Sequence, residues 1–236
     1  MNNLITLDKA RPEVQRKFMA GVYFRMVLAL AITAAVAYFT AYKIQTDSSF
    51  QNFFVSNIKP IIWGSFIAEL AVVFILSFYT RKISSFAAML LFILYSVITG
   101  ITFSSIFIIF EIDSIFKVFL ISGLMFLGMS IYGIFTQADL RSAGRYLIMA
   151  LIGLCAASLL NFLFKSSALD WIISLVGVGI FVGLTAYDTQ KIMTIAIHDD
   201  GSEKFQKYAI IGALELYLDF INIFIKLLNL FGKRKK

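Results

Sequence analysis

Long apolar stretches alternate with short polar ones along most of the chain. The alternation predicts seven membrane-spanning helices, at about 20–42, 58–79, 86–110, 115–135, 146–164, 171–195 and 208–230. Each holds about 20 residues or more, enough to cross a hydrocarbon core of about 30 Å. The connections are short and polar: a segment with Asp47, Ser48 and Ser49, then Arg81-Lys82, then the acidic pair Glu111 and Asp113, then QADLRSAGR, KSSALD and HDDGSEKFQK. Pro60 suits the first turn of the second span, where its missing N–H is not needed. Residues 1–18 are polar and mixed in charge, and Pro12 argues against a long helix there.

The last span differs from the others. Glu215, Asp219, Asn222, Lys226 and Asn229 follow one another at intervals of four, three, four and three residues. At about 100° per residue they fall within roughly 80° of arc, one stripe on an otherwise apolar helix. Within lipid such a stripe requires a polar neighbour: other helices, a water-filled cavity or an ion path.

Composition agrees with this pattern. Of 236 residues 60% are hydrophobic and 16% aromatic, and the mean hydropathy is +0.86, values outside the soluble globular range. The expected organisation is one membrane domain over 1–236: a cytoplasmic segment 1–18, a helical bundle 20–231 and a basic tail 232–236. The net charge of +7 is spread over short loops and the two ends, which fits orientation in a bilayer and contact with anionic headgroups, and not binding of nucleic acid. The tail Lys233-Arg234-Lys235-Lys236 is expected to be a lipid-facing anchor. Cys155, the only cysteine, permits no internal disulfide and is expected to serve as small apolar filler. The first apolar run is too long for a signal-peptide core and is expected to remain as a span.

Lysine and arginine in the N-terminal segment, at 81–82, at 141 and 145, and at 204 and 207 alternate with loops poorer in positive charge, which places the N-terminus in the cytoplasm. Seven full crossings then leave the basic tail on the opposite side. Either the last helix is held in place despite its tail or it does not fully cross. An internal echo is also present: GMSIYGIFTQ (128–137) resembles GLTAYDTQ (183–190) once a two-residue gap is allowed, with Gly133 in the place of Asp188. Repeats of this kind occur in transporter-like folds.

GLTAYDTQKIM (183–193), GALELYLDFINIFIKLL (212–228), GMSIYG (128–133) and ADLRSAGRYLIMALIGL (138–154) together resemble the Bax-inhibitor family, the transmembrane Bax-inhibitor-motif proteins, in its bacterial branch. The likeness covers most of residues 85–230. It implies an all-α polytopic membrane protein of seven transmembrane helices, six surrounding a central C-terminal helix. It also implies a pH-sensitive calcium leak gated by an aspartate pair, which by motif is Asp188 in TAYDTQ and Asp219 in LYLDFIN. The family's latch arginine would match Arg81, at the end of the second span beside Lys82.

Independently of the resemblance, Asp188 and Asp219 are flanked by apolar turns inside predicted spans. A carboxylate near the bilayer centre costs at least about 2.5–3.5 kcal/mol on insertion scales, so each must face the bundle interior with a partner or hold a proton. If the two meet they share a proton. Ca²⁺ is a hard cation, and the two carboxylates with Asn222 and water would offer it a loose oxygen set for which protons compete. Glu215, Asn222, Lys226 and Glu69 are the further candidates for lining the path. Lys226 is near enough to the helix end to snorkel. Glu69, with Ser65 a turn away, is either functional or an interhelical hydrogen-bonding group. Intramembrane aspartates can also be structural glue. His198 cannot supply a multi-histidine metal site and lies in a solvated loop. Gly123, Gly128, Gly133, Gly177, Gly179 and Gly183 are expected to permit close helix packing.

The chain is thus expected to be a non-enzymatic calcium leak of the inner or cytoplasmic membrane, needing no cofactor and handling Ca²⁺ and protons. Two alternatives stand beside it. One is a non-transporting regulator of a membrane protease or stress-signalling complex, with other membrane proteins as partners. The other is an intramembrane aspartyl protease, which also pairs two aspartates. For the latter, Ala186-Tyr187-Asp188 fits half of the pattern, but Asp219 follows Leu-Tyr-Leu instead of Gly-x-Gly, and no Pro-Ala-Leu occurs. No P-loop or serine-hydrolase motif is present.

Overall fold

The computed structural model describes residues 2–79 and 82–235, with side chains from Pro12 onward. Arg81, the latch that the resemblance implies, lies outside the described residues. Among these residues are eight helices: α1 (Asn2–Thr46), α2 (Ser48–Ser56), α3 (Ile58–Phe78), α4 (Ser85–Ile109), α5 (Ile112–Phe135), α6 (Arg141–Phe164), α7 (Ser167–Ala196) and α8 (Glu203–Phe231). All but α2 are long and apolar enough to cross a membrane, and apart from the start of the first the spans agree with the predicted ones to within two turns. The molecule is an all-α polytopic membrane protein.

Two local expectations are corrected. The N-terminal segment is not separated from the first span, because α1 is continuous from Asn2 and carries Pro12 inside it. A proline removes a single i→i−4 bond, and the helix continues past it through the largely polar residues 13–17 into the apolar run. The polar stretch after Thr46 is helical as well. Asp47 is its N-cap, with Oδ1 accepting from the N–H groups of Ser49 (3.0 Å) and Phe50 (3.1 Å). That cap releases a nine-residue amphipathic helix which buries Phe54.

The contacts fall into two compact units. One holds the chain up to Phe110 together with Ala196–Leu214 and Lys235; the other holds Glu111–Ile195 and Glu215–Arg234. In the first, α1 and α4 pack in parallel through small residues. Thr33 Oγ1 donates to Ser96 O at 2.9 Å, and a Cβ on Gly100 would lie 2.7 Å from Val36 Cβ. Ser96, Gly100 and Ser104 succeed one another every four residues, so a strip of α4 without bulk admits the neighbouring backbone. The start of α8 lies by the start of α4, since Glu203 Oε1 accepts from Ser85 N–H (2.8 Å) and Lys207 Nζ donates to Ile83 O (2.9 Å). The tail lies by the other end of α4, where Lys235 N–H donates to Ile109 O (2.9 Å) and Lys235 Nζ to Phe107 O (2.8 Å).

The last helix and the tail together therefore run from one end of α4 to the other. Of the most apolar window of α8 67% is buried, against 6% for α6, as a helix enclosed by protein instead of lipid requires. The tail is no free anchor. In the second unit Lys233 N–H donates to Ser114 Oγ (2.9 Å), Lys233 O accepts from Glu111 N–H (2.9 Å), and Lys233 Nζ pairs with Glu111 Oε1 (3.1 Å). Phe110 and Glu111 are extended between two helices and leave main-chain groups for the tail to satisfy. Because α1 parallels α4, the two termini lie at opposite ends of the spans. Reporter enzymes that work on only one side of the membrane, fused in turn to each terminus, should give opposite readings; matching readings would contradict this path for α8.

Candidate functional site

The TAYDTQK segment of α7 is a helix with three working faces. Towards α5, Ala186 and Thr189 meet Gly133: a Cβ there would lie 2.5 Å from Ala186 O and 3.1 Å from Thr189 Cβ. Thr189 Oγ1 also reaches Ser130 Oγ at 3.5 Å. The two segments that echo one another in the sequence thus pack on each other. Towards α6, the Tyr187 ring lies directly over Gly144, and Gly183 receives Leu147. One turn on, Gln190 fastens the loop that leads into α6, with Nε2 donating to Ala138 O (2.8 Å) and Oε1 accepting from Leu140 N–H (2.9 Å). In that loop Asp139 is held below the usual carboxylate range by the Arg141 guanidinium beside it. Gly123, Gly128 and Gly179, expected to serve close packing, have no atom within 4 Å of an added Cβ, so only some of the glycines are packing residues.

The third face carries Asp188 and Lys191 and meets α8. Lys191 Nζ is 2.5 Å from Glu215 Oε1 and 3.7 Å from Asp188 Oδ1. Four residues beyond Glu215, on the same face of α8, Asp219 is 4% exposed and lies within electrostatic reach of Asp188, Glu215 and Lys191. Its Oδ2 has no hydrogen-bond partner. Asp188 is eight residues before the end of α7, about 12 Å along the axis at 1.5 Å per residue, whereas Glu215 and Asp219 flank the midpoint of α8. Phe220 and Phe224 hold α8 against Phe119 and Phe126 of α5, with ring centroids 5.2–6.0 Å apart.

Of the other candidates, Asn222 donates its amide to Leu218 O (2.8 Å) on its own helix. Lys226 lays its stem against Gly177, where a Cβ would meet Cγ, Cδ and Cε at 3.2 Å, and its ammonium is within reach of the charge of Asp170. Glu69 lies in the first unit, turned towards Thr99 of α4. Glu69 Oε1 and Thr99 Oγ1 are both buried without a hydrogen-bond partner. Cys155 is on an exposed face of α6 and fills nothing. His198 lies in a loop shaped by its neighbours: Asp199 accepts from Gly201 N–H and Asp200 from Ser202 N–H, both at 2.9 Å. Ser202, through its hydroxyl first and its N–H second, holds the Asp200 carboxyl below the usual range.

The residue that sequence reasoning misses is Lys191. A lysine inside a predicted span, three residues after an aspartate and so on its face, was the available signal. Among the described residues no three acidic, histidine or cysteine side chains form a ready metal-ligand cluster. To hold Ca²⁺, Asp188 and Asp219 would need further oxygens, from Glu215 or water, and Lys191 would need to move.

A family profile described as "Inhibitor of apoptosis-promoting Bax1" matches residues 15–236. The inner membrane protein YbhL of Escherichia coli is 44% identical over 220 residues, covering 92% of each chain. An uncharacterized protein of Borreliella burgdorferi is 42% identical with 98% of each chain covered, and one of Deinococcus radiodurans is 38% identical over 97% of this chain and 94% of its own. With the profile spanning nearly the whole chain and the helices and motifs in place, the protein belongs to the Bax inhibitor family.

Proposed function

We propose that this chain is a pH-sensitive calcium leak of the bacterial inner membrane, with its N-terminus in the cytoplasm and no enzymatic activity. The observation that carries the reading is Asp219, a carboxylate 4% exposed with one oxygen unpartnered, grouped with Asp188 and Glu215 on two facing helices. Three acids gathered inside membrane-spanning helices are costly to bury, and a path for a hard cation gives them a use. Protons compete for the same oxygens, which supplies the pH response. The ion pair between Lys191 and Asp188 argues against a protease dyad, whose two aspartates must share a proton with each other.

The test is calcium flux into proteoliposomes across a pH series, with wild type beside Asp188→Asn. Wild type should admit calcium, and the half-saturating calcium concentration should rise as the pH falls, because protonated oxygens no longer attract the cation. Asp188→Asn should flatten that dependence. Wild-type vesicles as tight as protein-free ones would favour the non-transporting regulator instead.

A further inference from the structure

Lys191 stands where the cation of the proposed leak would stand. Its ammonium is 2.5 Å from Glu215 Oε1 and 3.7 Å from Asp188 Oδ1, so lone pairs that a metal would need already face a protein cation. A Ca²⁺ ion takes six to eight oxygens at about 2.3–2.6 Å, and no such set can close around a site that holds an ammonium. We propose that Lys191 is a tethered counter-ion of the carboxylate cluster, occupying it in the resting state and competing with the passing cation. The idea rests on the calcium-leak reading and names the residue that regulates it.

The arrangement suits the role in three respects. Lys191 shares α7 with Asp188, so that contact survives any helix movement, while its bond to Glu215 joins α7 to α8 and is the one that displacement breaks. The lysine side chain is 39% exposed, against 14% for Asp188 and 27% for Glu215, so the cation of the group has the most open way out. A four-carbon stem with freely turning bonds allows the head to leave without moving the helix. The charged and titratable groups around it on α7 and α8 are Tyr187, Asp188, Glu215 and Asp219. The α5 and α6 contacts of this part of α7, at Ser130, Gly133, Gly144 and Leu147, are uncharged.

Removal of the ammonium should strengthen calcium binding, the reverse of what damage to a merely structural ion pair would do. The full-length protein, purified in detergent, would be titrated with calcium as wild type, Lys191→Met and Lys191→Arg, and each would also be assayed for flux in vesicles. Lys191→Met should bind calcium at least about tenfold more tightly and leak more at low calcium; Lys191→Arg should stay near wild type. Should Lys191→Met fail to fold, the pair Lys191→Met/Glu215→Gln, compared with Glu215→Gln alone, carries the same comparison with one fewer unbalanced charge, and the double variant should bind more tightly. Equal or weaker calcium binding on loss of the lysine, or no binding in any variant, would overturn the inference. Absence of flux from wild-type vesicles, with the difference in binding intact, would instead overturn the leak reading alone.

Discussion

Asparagine in place of Asp219 should reduce calcium flux at least about tenfold while leaving the protein folded. The residue is buried among helices and lies within reach of two other carboxylates and one lysine, so its charge acts through protein and not through bulk water. At an effective dielectric constant of about 20, two unit charges 4 Å apart interact by about 4 kcal/mol. A third of that corresponds to a factor of ten, and Ca²⁺ carries two charges. Asparagine preserves the shape and can still make hydrogen bonds, and the unpartnered Oδ2 means that no bond through that oxygen is lost. The stability cost should therefore stay within about 1 kcal/mol. Flux into vesicles and thermal unfolding in detergent separate the two effects. Retained flux with lost stability would make Asp219 a structural residue, interhelical glue of the ordinary kind.

The fold is legible in this sequence for a physical reason. Lipid demands that each crossing be helical, long and apolar, and the seven crossings are read almost directly from hydropathy. The acidic members of the site are legible for a related reason, because Glu215 and Asp219 are conspicuous in an apolar helix. Lys191 is not conspicuous. It lies five residues from the end of α7, where a lysine is commonly a solvated or snorkelling group, and only the fold turns it inward to Glu215. The helical state of Ser48–Ser56 is missed because its polar start, Asp47-Ser48-Ser49, reads as a turn. The glycines behave alike in sequence and differently in structure: nothing in the composition around Gly128 and Gly133 tells which of them another helix approaches. The direction of the tail is likewise set by hydrogen bonds to residues 107–114, over a hundred positions away, and no local pattern carries that information.

That difference between two neighbouring glycines gives the second large effect. Alanine at Gly133 should lower stability by about 1–3 kcal/mol, the usual cost of added bulk in a close-packed contact. Its Cβ would lie 2.5 Å from the carbonyl oxygen of Ala186 and 3.1 Å from Ala186 Cα. Both are backbone atoms, so relief requires α5 and α7 to move apart and not merely a change of rotamer. Alanine at Gly128, five residues earlier on the same helix, meets nothing within 4 Å; there the better helix propensity should leave stability unchanged or raise it by up to about 1 kcal/mol. The two substitutions are chemically identical, so opposite signs in thermal unfolding would isolate the α5–α7 contact. The consequence reaches function because Asp188 is two residues from Ala186. Displacing α7 from α5 shifts the carboxylate on its adjoining face relative to Glu215 and Asp219, and the pH dependence of flux should weaken in Gly133→Ala while Gly128→Ala matches wild type. Equal behaviour of the two variants in both assays would mean that α7 is positioned by α6, through Gly144 and Tyr187, and owes nothing to α5.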